Sequence, residues 1–281
     1  MPDNIIIRDN VAVITGAAHG LGAAMARHFA AEGMQLSLFD RDEQALLSLS
    51  EALAVKTCCT VGDVASNEDL QTLYNNTMSE FGRVSLLVNN AAVNTGAGPW
   101  GEPGLWLKHL QTNLLSAVTL QYLFVPGMLS HDAPAAVVNL GSKEGITTPP
   151  GNAAYSAGKA AIKVLTEQLA HELLQVAGDR VTAHLLIPGY TWTPMNFPGM
   201  DEKTDNKPEA VWTADQVIDY FKTCFTNGDF YILCPDNEVT PEMDAKRIAW
   251  ASQDIIENRP ALSRWHPDWK NQFDSWMKNK R

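Results

Sequence analysis

Apolar residues along this chain fall into two alternating periods. Short aliphatic and β-branched runs over 11–15, 36–39, 57–61, 86–89, 136–140 and 181–187 read as strands, and a seventh lies near 230–233. Between them, amphipathic stretches predict helices over 21–31, 43–53, 67–81, 104–128 and 153–176. This alternation is the pattern of repeated βαβ units around a parallel sheet. The expectation is an α/β fold: a doubly wound, mainly parallel seven-stranded sheet with helices on both faces. No repeat of about 20 to 50 residues is visible, which argues against a solenoid or propeller. Residues 1–281 therefore read as a single domain.

The pattern breaks after Pro188. Residues 194–212 hold prolines, the turn sequence Asn196-Phe197-Pro198-Gly199 and the charged run Asp201-Glu202-Lys203, with little periodicity. A surface loop of this length is either a substrate lid or a mobile insertion. Residues 235–281 read as a helical C-terminal extension carrying Trp250, Trp265, Trp269 and Trp276. Those rings either anchor the extension to the body, cover a pocket or meet a second subunit.

Composition fits a folded body with a sizeable core, at 45% hydrophobic and 19% charged residues. The net charge of -11 and a pI near 5.0 argue against a nucleic-acid partner, which needs a clustered basic surface. The one basic stretch, Lys278-Asn279-Lys280-Arg281, reads as a solvated helix end or as a phosphate or membrane contact. Residues Met1 to Arg8 lack a charged leader followed by an apolar run, and no segment approaches the roughly 20 apolar residues of a membrane span. A cytoplasmic protein with no membrane partner is expected. Cys58, Cys59, Cys224 and Cys234 form no metal-ligand spacing and read as reduced core thiols, so no metal is expected.

Thr15-Gly16-Ala17-Ala18-His19-Gly20-Leu21-Gly22 follows the first strand and opens the first helix. Glycines there let a backbone approach a pyrophosphate at a helix N-terminus, although an accidental glycine turn is the alternative. The spacing Gly-x3-Gly-x-Gly has no lysine of the kind a P-loop requires. Asp40 closes the second strand, where a carboxylate can accept from adenosine ribose hydroxyls and would repel a 2'-phosphate. NAD is thus favoured over NADP. His19 and Arg41 are either cations available to a phosphate or a loop histidine and a solvated arginine.

Tyr155 and Lys159, four residues apart in a predicted helix, share one face. A phenol is a poor base near neutral pH unless a neighbouring cation stabilises its phenolate. Ser142, just beyond the fifth strand, falls at the same carboxyl edge of the sheet and can hydrogen-bond a substrate oxygen.

Together these residues resemble the short-chain dehydrogenase/reductase family. Gly16, Gly20 and Gly22, Asp63, Asn89-Asn90-Ala91, Tyr155-Ser156-Ala157-Gly158-Lys159, and Pro188-Gly189 with Thr193 all fall in that family's order, over about residues 8 to 194. The resemblance implies a Rossmann-type fold and hydride transfer between a nicotinamide dinucleotide and a secondary alcohol or ketone. It implies that Asp63 and Val64 contact adenine and that Asn90, Ala91 and Ala92 line the ribose and pyrophosphate path. Pro188, Gly189, Thr191 and Thr193 would embrace the nicotinamide end. Asn113 would join Ser142, Tyr155 and Lys159 through a water held by its backbone. The family's glycine is Ala92 here, a frequent second serine is Gly141, and the usual Asp-Gly-Gly terminus is absent.

The resemblance also implies that Glu144, Asn152, Tyr190, Trp192 and the loop after Pro194 face a bulky, partly apolar alcohol or ketone. Glu144 would bind a substrate hydroxyl or amine, or serve as a solvated or structural carboxylate. Family members commonly pair through helices equivalent to 104–128 and 153–176, implying a homodimer or homotetramer. An NADPH-dependent carbonyl reductase and a non-catalytic dinucleotide-binding regulator are the competing readings.

Overall fold

The computed structural model describes residues 4–200 and 204–278. Its first half alternates β1 (Val11–Thr15), α1 (Gly20–Ala31), β2 (Gln35–Asp40), α2 (Glu43–Ala52), β3 (Thr57–Val61), α3 (Asn67–Phe81) and β4 (Leu86–Asn89). There follow α4 (Pro103–Leu110), α5 (Ser116–Leu129), β5 (Ala135–Leu140), α6 (Glu144–Thr147), α7 (Ala153–Ala177) and β6 (Val181–Ile187). Two short strands, β7 (Thr191–Trp192) and β8 (Trp212–Thr213), precede α8 (Ala214–Thr226), β9 (Tyr231–Leu233), α9 (Pro241–Ile256) and α10 (Lys270–Lys278).

Seven strands form one all-parallel sheet in the order β3-β2-β1-β4-β5-β6-β9. This is the expected Rossmann-type doubly wound sheet. Alternate residues of each strand point to opposite faces, so each strand feeds two cores. Ala12, Ile14, Leu36 and Leu38 pack with Phe29 of α1, Leu46 of α2 and Phe221 and Phe225 of α8. Val11, Val13, Leu87 and Val137 pack with Leu70 and Leu73 of α3, Phe124 of α5 and Leu173 of α7. Burying each such side chain contributes about 1.5–3 kcal/mol. Strand order reverses between β1 and β4, which opens a crevice at the carboxyl ends where ligands of such sheets bind.

The predicted helix over 104–128 is interrupted. A π-helical turn, Gln111–Leu115, separates α4 from α5. Within that turn Asn113 accepts the Val93 N–H at 2.8 Å and donates to the Val93 carbonyl at 2.9 Å, tying the helix to the segment after β4. A helical period of 3.6 does not register one inserted residue, and such bulges recur at functional sites. Helix α8 was not among the predicted helices, although Val217, Ile218, Phe221, Cys224 and Phe225 form its buried stripe and Thr213 and Gln216 its capping box.

The C-terminal extension is helical, as expected. Trp250 is buried against Trp269, Phe273 and Trp276, and its Nε1 donates to Ser263 Oγ at 2.7 Å. Arg259 stacks over Trp250 and Trp269, while the part-exposed Trp265 stacks with Arg264. Trp250, Trp269 and Trp276 thus pack on one another within the extension, and these ring contacts hold its helices together. One ion pair ties the extension to the sheet edge: Lys143 Nζ lies 2.6 Å from the buried Asp244 Oδ2. Among its described residues the loop predicted over 194–212 is irregular up to Trp212, which opens β8, and its ends are pinned by the pairing of Thr191 with Trp212 and Trp192 with Thr213. Asp201, Glu202 and Lys203, like Asn279, Lys280 and Arg281, lie outside the described residues; Lys278 ends α10. No described helix is long and apolar enough to cross a membrane.

Candidate active site

The segment joining β1 to α1 is shaped by close backbone approach. Gly16 has φ 63°, in the left-handed region, and a Cβ on Gly22 would lie 2.0 Å from the Gly16 carbonyl oxygen. Asn90 at the end of β4 fastens this turn, its Nδ2 donating to the carbonyls of Thr15 and Gly16 at 2.8 and 3.0 Å. Backbone N–H groups of Asn90 and Ala91 in turn donate to Thr15 Oγ1. His19 occupies the N-cap position of α1 without a side-chain cap, leaving the first N–H groups of a twelve-residue helix for an anion. A Cβ on Gly20 would meet Thr193 at 3.2 Å, so the turn and the segment after β6 close on one another.

Asp40, at the carboxyl end of β2, accepts the Ala18 N–H at 3.0 Å and the Asp42 N–H at 3.1 Å. His19 Nε2 lies 2.8 Å from Asp42 Oδ2 and is thereby engaged; Arg41 is exposed. The N–H of Ala45 and the His19 contact hold the Asp42 carboxyl below its usual range. Asp63 accepts the Ala65 N–H at 2.9 Å in the turn after β3, and the Val64 side chain is buried in the α3-side core. Leu21 and Ala92 are partly buried beside these elements.

The predicted acid/base residues converge at the carboxyl end of β5. Gly141 follows the strand so closely under β6 that a Cβ would press on Leu185 at 3.1 Å, which explains glycine in place of a second serine. Ser142 Oγ accepts the Glu144 N–H at 3.1 Å, and a hydrogen bond from Ser142 acts to lower the Tyr155 pKa. Burial outweighs it and, with the Glu144 charge, pushes the phenol up to about 12. Lys159 is buried, donates to the Leu140 carbonyl at 2.7 Å, and burial lowers its pKa to about 8. Its ammonium stands 5.7 Å from the Tyr155 ring centroid. The expectation that Lys159 depresses the phenol is thus corrected for this geometry: the lowering influence comes from Ser142, and Lys159 is turned toward the strand carbonyl. Asn113 reaches the same helix, since a Cβ on Gly158 would lie 3.5 Å from the Asn113 Cβ.

Helix α6 is laid directly on α7: a Cβ on Gly145 would sit 2.7 Å from the Lys159 carbonyl oxygen. This contact holds Glu144 above the turn that carries Tyr155. Asn152 Nδ2 donates to Asn94 Oδ1 at 2.7 Å and to Glu144 Oε2 at 3.5 Å. Burial raises the Glu144 pKa, and the Asn152 bond opposes that rise. Tyr190 is exposed and Trp192 is buried, both packed on Phe197, with ring centroids at 5.1 and 4.4 Å. Pro188 and Gly189 follow β6, Thr191 Oγ1 donates to the Gly189 carbonyl at 3.0 Å, and Asn196 Nδ2 donates to the Thr191 carbonyl at 2.8 Å.

Two residues escaped the sequence reading. His109 is fully buried, with Nε2 3.1 Å from Thr95 Oγ1 and its ring edge-on to Tyr155 at 6.3 Å; burial lowers its pKa. Its position four residues before Asn113 was the available signal. Asn94 had only its closeness to Asn90 to mark it.

A family model described as short chain dehydrogenase matches residues 10–203. A CLA biosynthesis dehydrogenase/reductase of Lactiplantibacillus plantarum is 32% identical over 194 residues, covering 67% of each chain. Sulfoacetaldehyde reductase 2 of Chromohalobacter salexigens is 35% identical over 177 residues, 62% of this chain and 70% of that protein. Among solved structures, a short chain dehydrogenase/reductase from Burkholderia phymatum in complex with NAD is similar with a TM-score of 0.79. It is 29% identical, over 90% of this chain and 96% of that one.

Proposed function

The chain belongs to the short-chain dehydrogenase/reductase family of oxidoreductases, and from that premise we propose that it interconverts a secondary alcohol and a ketone, with NAD as its dinucleotide and Tyr155 as general acid/base. The observation that carries this reading is the convergence of Ser142, Tyr155 and Lys159 at the carboxyl end of β5. The described residues fit a dinucleotide. The glycine turn has no room for side chains at Gly22, the α1 N-terminus lacks a side-chain cap, and Asp40 stands at the end of β2. Gly16, His19, Gly20, Leu21 and Gly22 would hold its pyrophosphate, Asp63 and Val64 its adenine, Asn90 to Ala92 its ribose side and Pro188 to Thr193 its carboxamide end. When bound, the nicotinamide donates or accepts the hydride.

The protein's own residues manage the proton. The substrate oxygen lies between Ser142 and Tyr155; Ser142 fixes it, and Tyr155 takes its proton in oxidation or returns one in reduction. Lys159, at the same strand end, would hold the nicotinamide ribose, and Asn113 links the lysine to solvent. Two observations support NAD over NADP. The Asp40 carboxylate stands where a 2'-phosphate would be repelled, and His19 is taken up by Asp42. Titration of both reduced cofactors tests this: NADH is expected to bind more tightly, and much tighter NADPH binding would overturn the choice.

Residues 1–281 act in this reading as one dinucleotide-binding and catalytic unit, with 194–212 as the substrate loop. Four free thiols support a cytoplasmic setting. A second copy is the partner, meeting the apolar outer faces of α5 and α7. Hydride transfer, followed by absorbance of the reduced nicotinamide across a panel of secondary alcohols and ketones, tests the activity. No turnover with either cofactor would refute it.

A further inference from the structure

One side of the site is built from hydrogen-bond acceptors that the proton chemistry does not use. The Asn152 amide group spends its N–H donors on Asn94 Oδ1 at 2.7 Å and Glu144 Oε2 at 3.5 Å. Its own Oδ1 is buried and, among the described residues, has no hydrogen-bond partner. Glu144 presents two carboxylate oxygens, and the bond from Asn152 is at the outer limit of hydrogen bonding. Lys143, the adjacent cation, is drawn away to Asp244 at 2.6 Å and does not neutralise Glu144. The wall therefore offers acceptors and asks for donors.

A carboxylate in this position works against the proton transfer beside it. Its charge raises the Tyr155 pKa and so opposes the phenolate that alcohol oxidation needs. The group is also partly desolvated. A substrate hydroxyl donated to Glu144 would offset both effects, because it spreads the carboxylate charge and replaces lost water.

Resting on the alcohol–ketone reading above, we propose that the substrate is a polyhydroxylated compound: a hydroxyl on the carbon next to the reacting one donates to Glu144 and Asn152, while the reacting oxygen lies between Ser142 and Tyr155. The pocket is then polar on the α6 side, which narrows the bulky, partly apolar substrate expected from sequence. Asn94 holds the Asn152 amide in place by accepting from its Nδ2 at 2.7 Å.

The test uses matched substrates on whichever carbon skeleton the alcohol and ketone panel shows to react. Each secondary alcohol is compared with its vicinal diol and its vicinal amino alcohol. The wild-type protein is expected to favour the diol over the simple alcohol by about tenfold or more in kcat/KM, the range for a charged site deprived of its hydrogen bond. Glu144→Gln and Asn152→Ala are each expected to shrink that ratio by about tenfold, chiefly through KM for the diol. NADH binding, followed by fluorescence, verifies that each variant is folded. Equal use of diol and simple alcohol by the wild type, or a ratio unchanged in Glu144→Gln, overturns the inference while leaving the alcohol–ketone reading intact. Preference for the amino alcohol over the diol overturns it in favour of an ammonium substrate. Absence of hydride transfer with every substrate removes the parent reading and this one together.

Discussion

At neutral pH the Tyr155 phenol keeps its proton, because burial and the Glu144 charge raise its pKa to about 12. In this geometry the residue is ready to give a proton to a ketone and unready to take one from an alcohol. Alcohol oxidation is therefore expected to accelerate by up to about tenfold per unit of pH above 7, while ketone reduction stays nearly flat; pH profiles of kcat/KM in both directions check this. Tyr155→Phe is expected to retain NADH binding and lose about 10²- to 10⁴-fold in turnover. Lys159 carries a second pH dependence. Its folded pKa of about 8 lies below the ordinary 10.5, so between those values the unfolded chain binds more protons and stability rises with pH. Denaturant midpoints measured between pH 7.5 and 9.5 are expected to climb more steeply for the wild-type protein than for Lys159→Met. Ser142, Tyr155 and Lys159 were legible in sequence because strand-end placement and helical spacing suffice to bring them together. The Glu144–Asn152–Asn94 chain was not, since it joins three loops or helix ends whose approach depends on α6 resting on α7.

That resting contact is a property of the elements. A methyl group at Gly145 would fall 2.5 Å from the Lys159 carbonyl carbon and 2.8 Å from the Ala160 nitrogen, both backbone atoms that cannot rotate aside. Gly145→Ala is expected to cost about 1–3 kcal/mol, read as a lower urea midpoint, and to reduce turnover by moving Lys159. On the other side of α6, Asp244→Asn would leave Lys143 with a weakened partner at a mostly buried position. A loss of about 1–3 kcal/mol is expected, below that of a fully buried pair because Lys143 is partly exposed. The seven strands of the main sheet were readable to within a residue because each is an apolar run closed by a turn, whereas the two-residue strands β7 and β8 are too short to show a period. The π turn at Gln111–Leu115 was hidden because it responds to a side chain bonding across to Val93, a partner twenty residues away.

The molecule as a whole leaves apolar surface uncovered. Leu115 of the π turn is exposed with Val118 and Tyr122 of α5, Tyr122 at 79%, and Val164 of α7 is 55% exposed. Sedimentation is expected to give a multiple of 30.8 kDa for the wild-type chain and a smaller species for Tyr122→Glu with Val164→Glu. A monomeric wild type would contradict the pairing. The layered plan was foreseeable from periodicity alone, whereas the way the C-terminal extension braces Lys143 was not, because no pattern in 235–281 names its partner. Asp40 belongs to this larger picture as well. Its two oxygens clasp the N–H groups of Ala18 and Asp42, so one carboxylate fastens the glycine turn to the start of α2. A lineage of such chains could not change its electron currency by replacing Asp40 alone, for the first step would slacken the cradle before any new charge favoured the phosphate. Compensation in the turn has to come first, and the order of substitutions, as much as their identity, decides which ancestral paths are open.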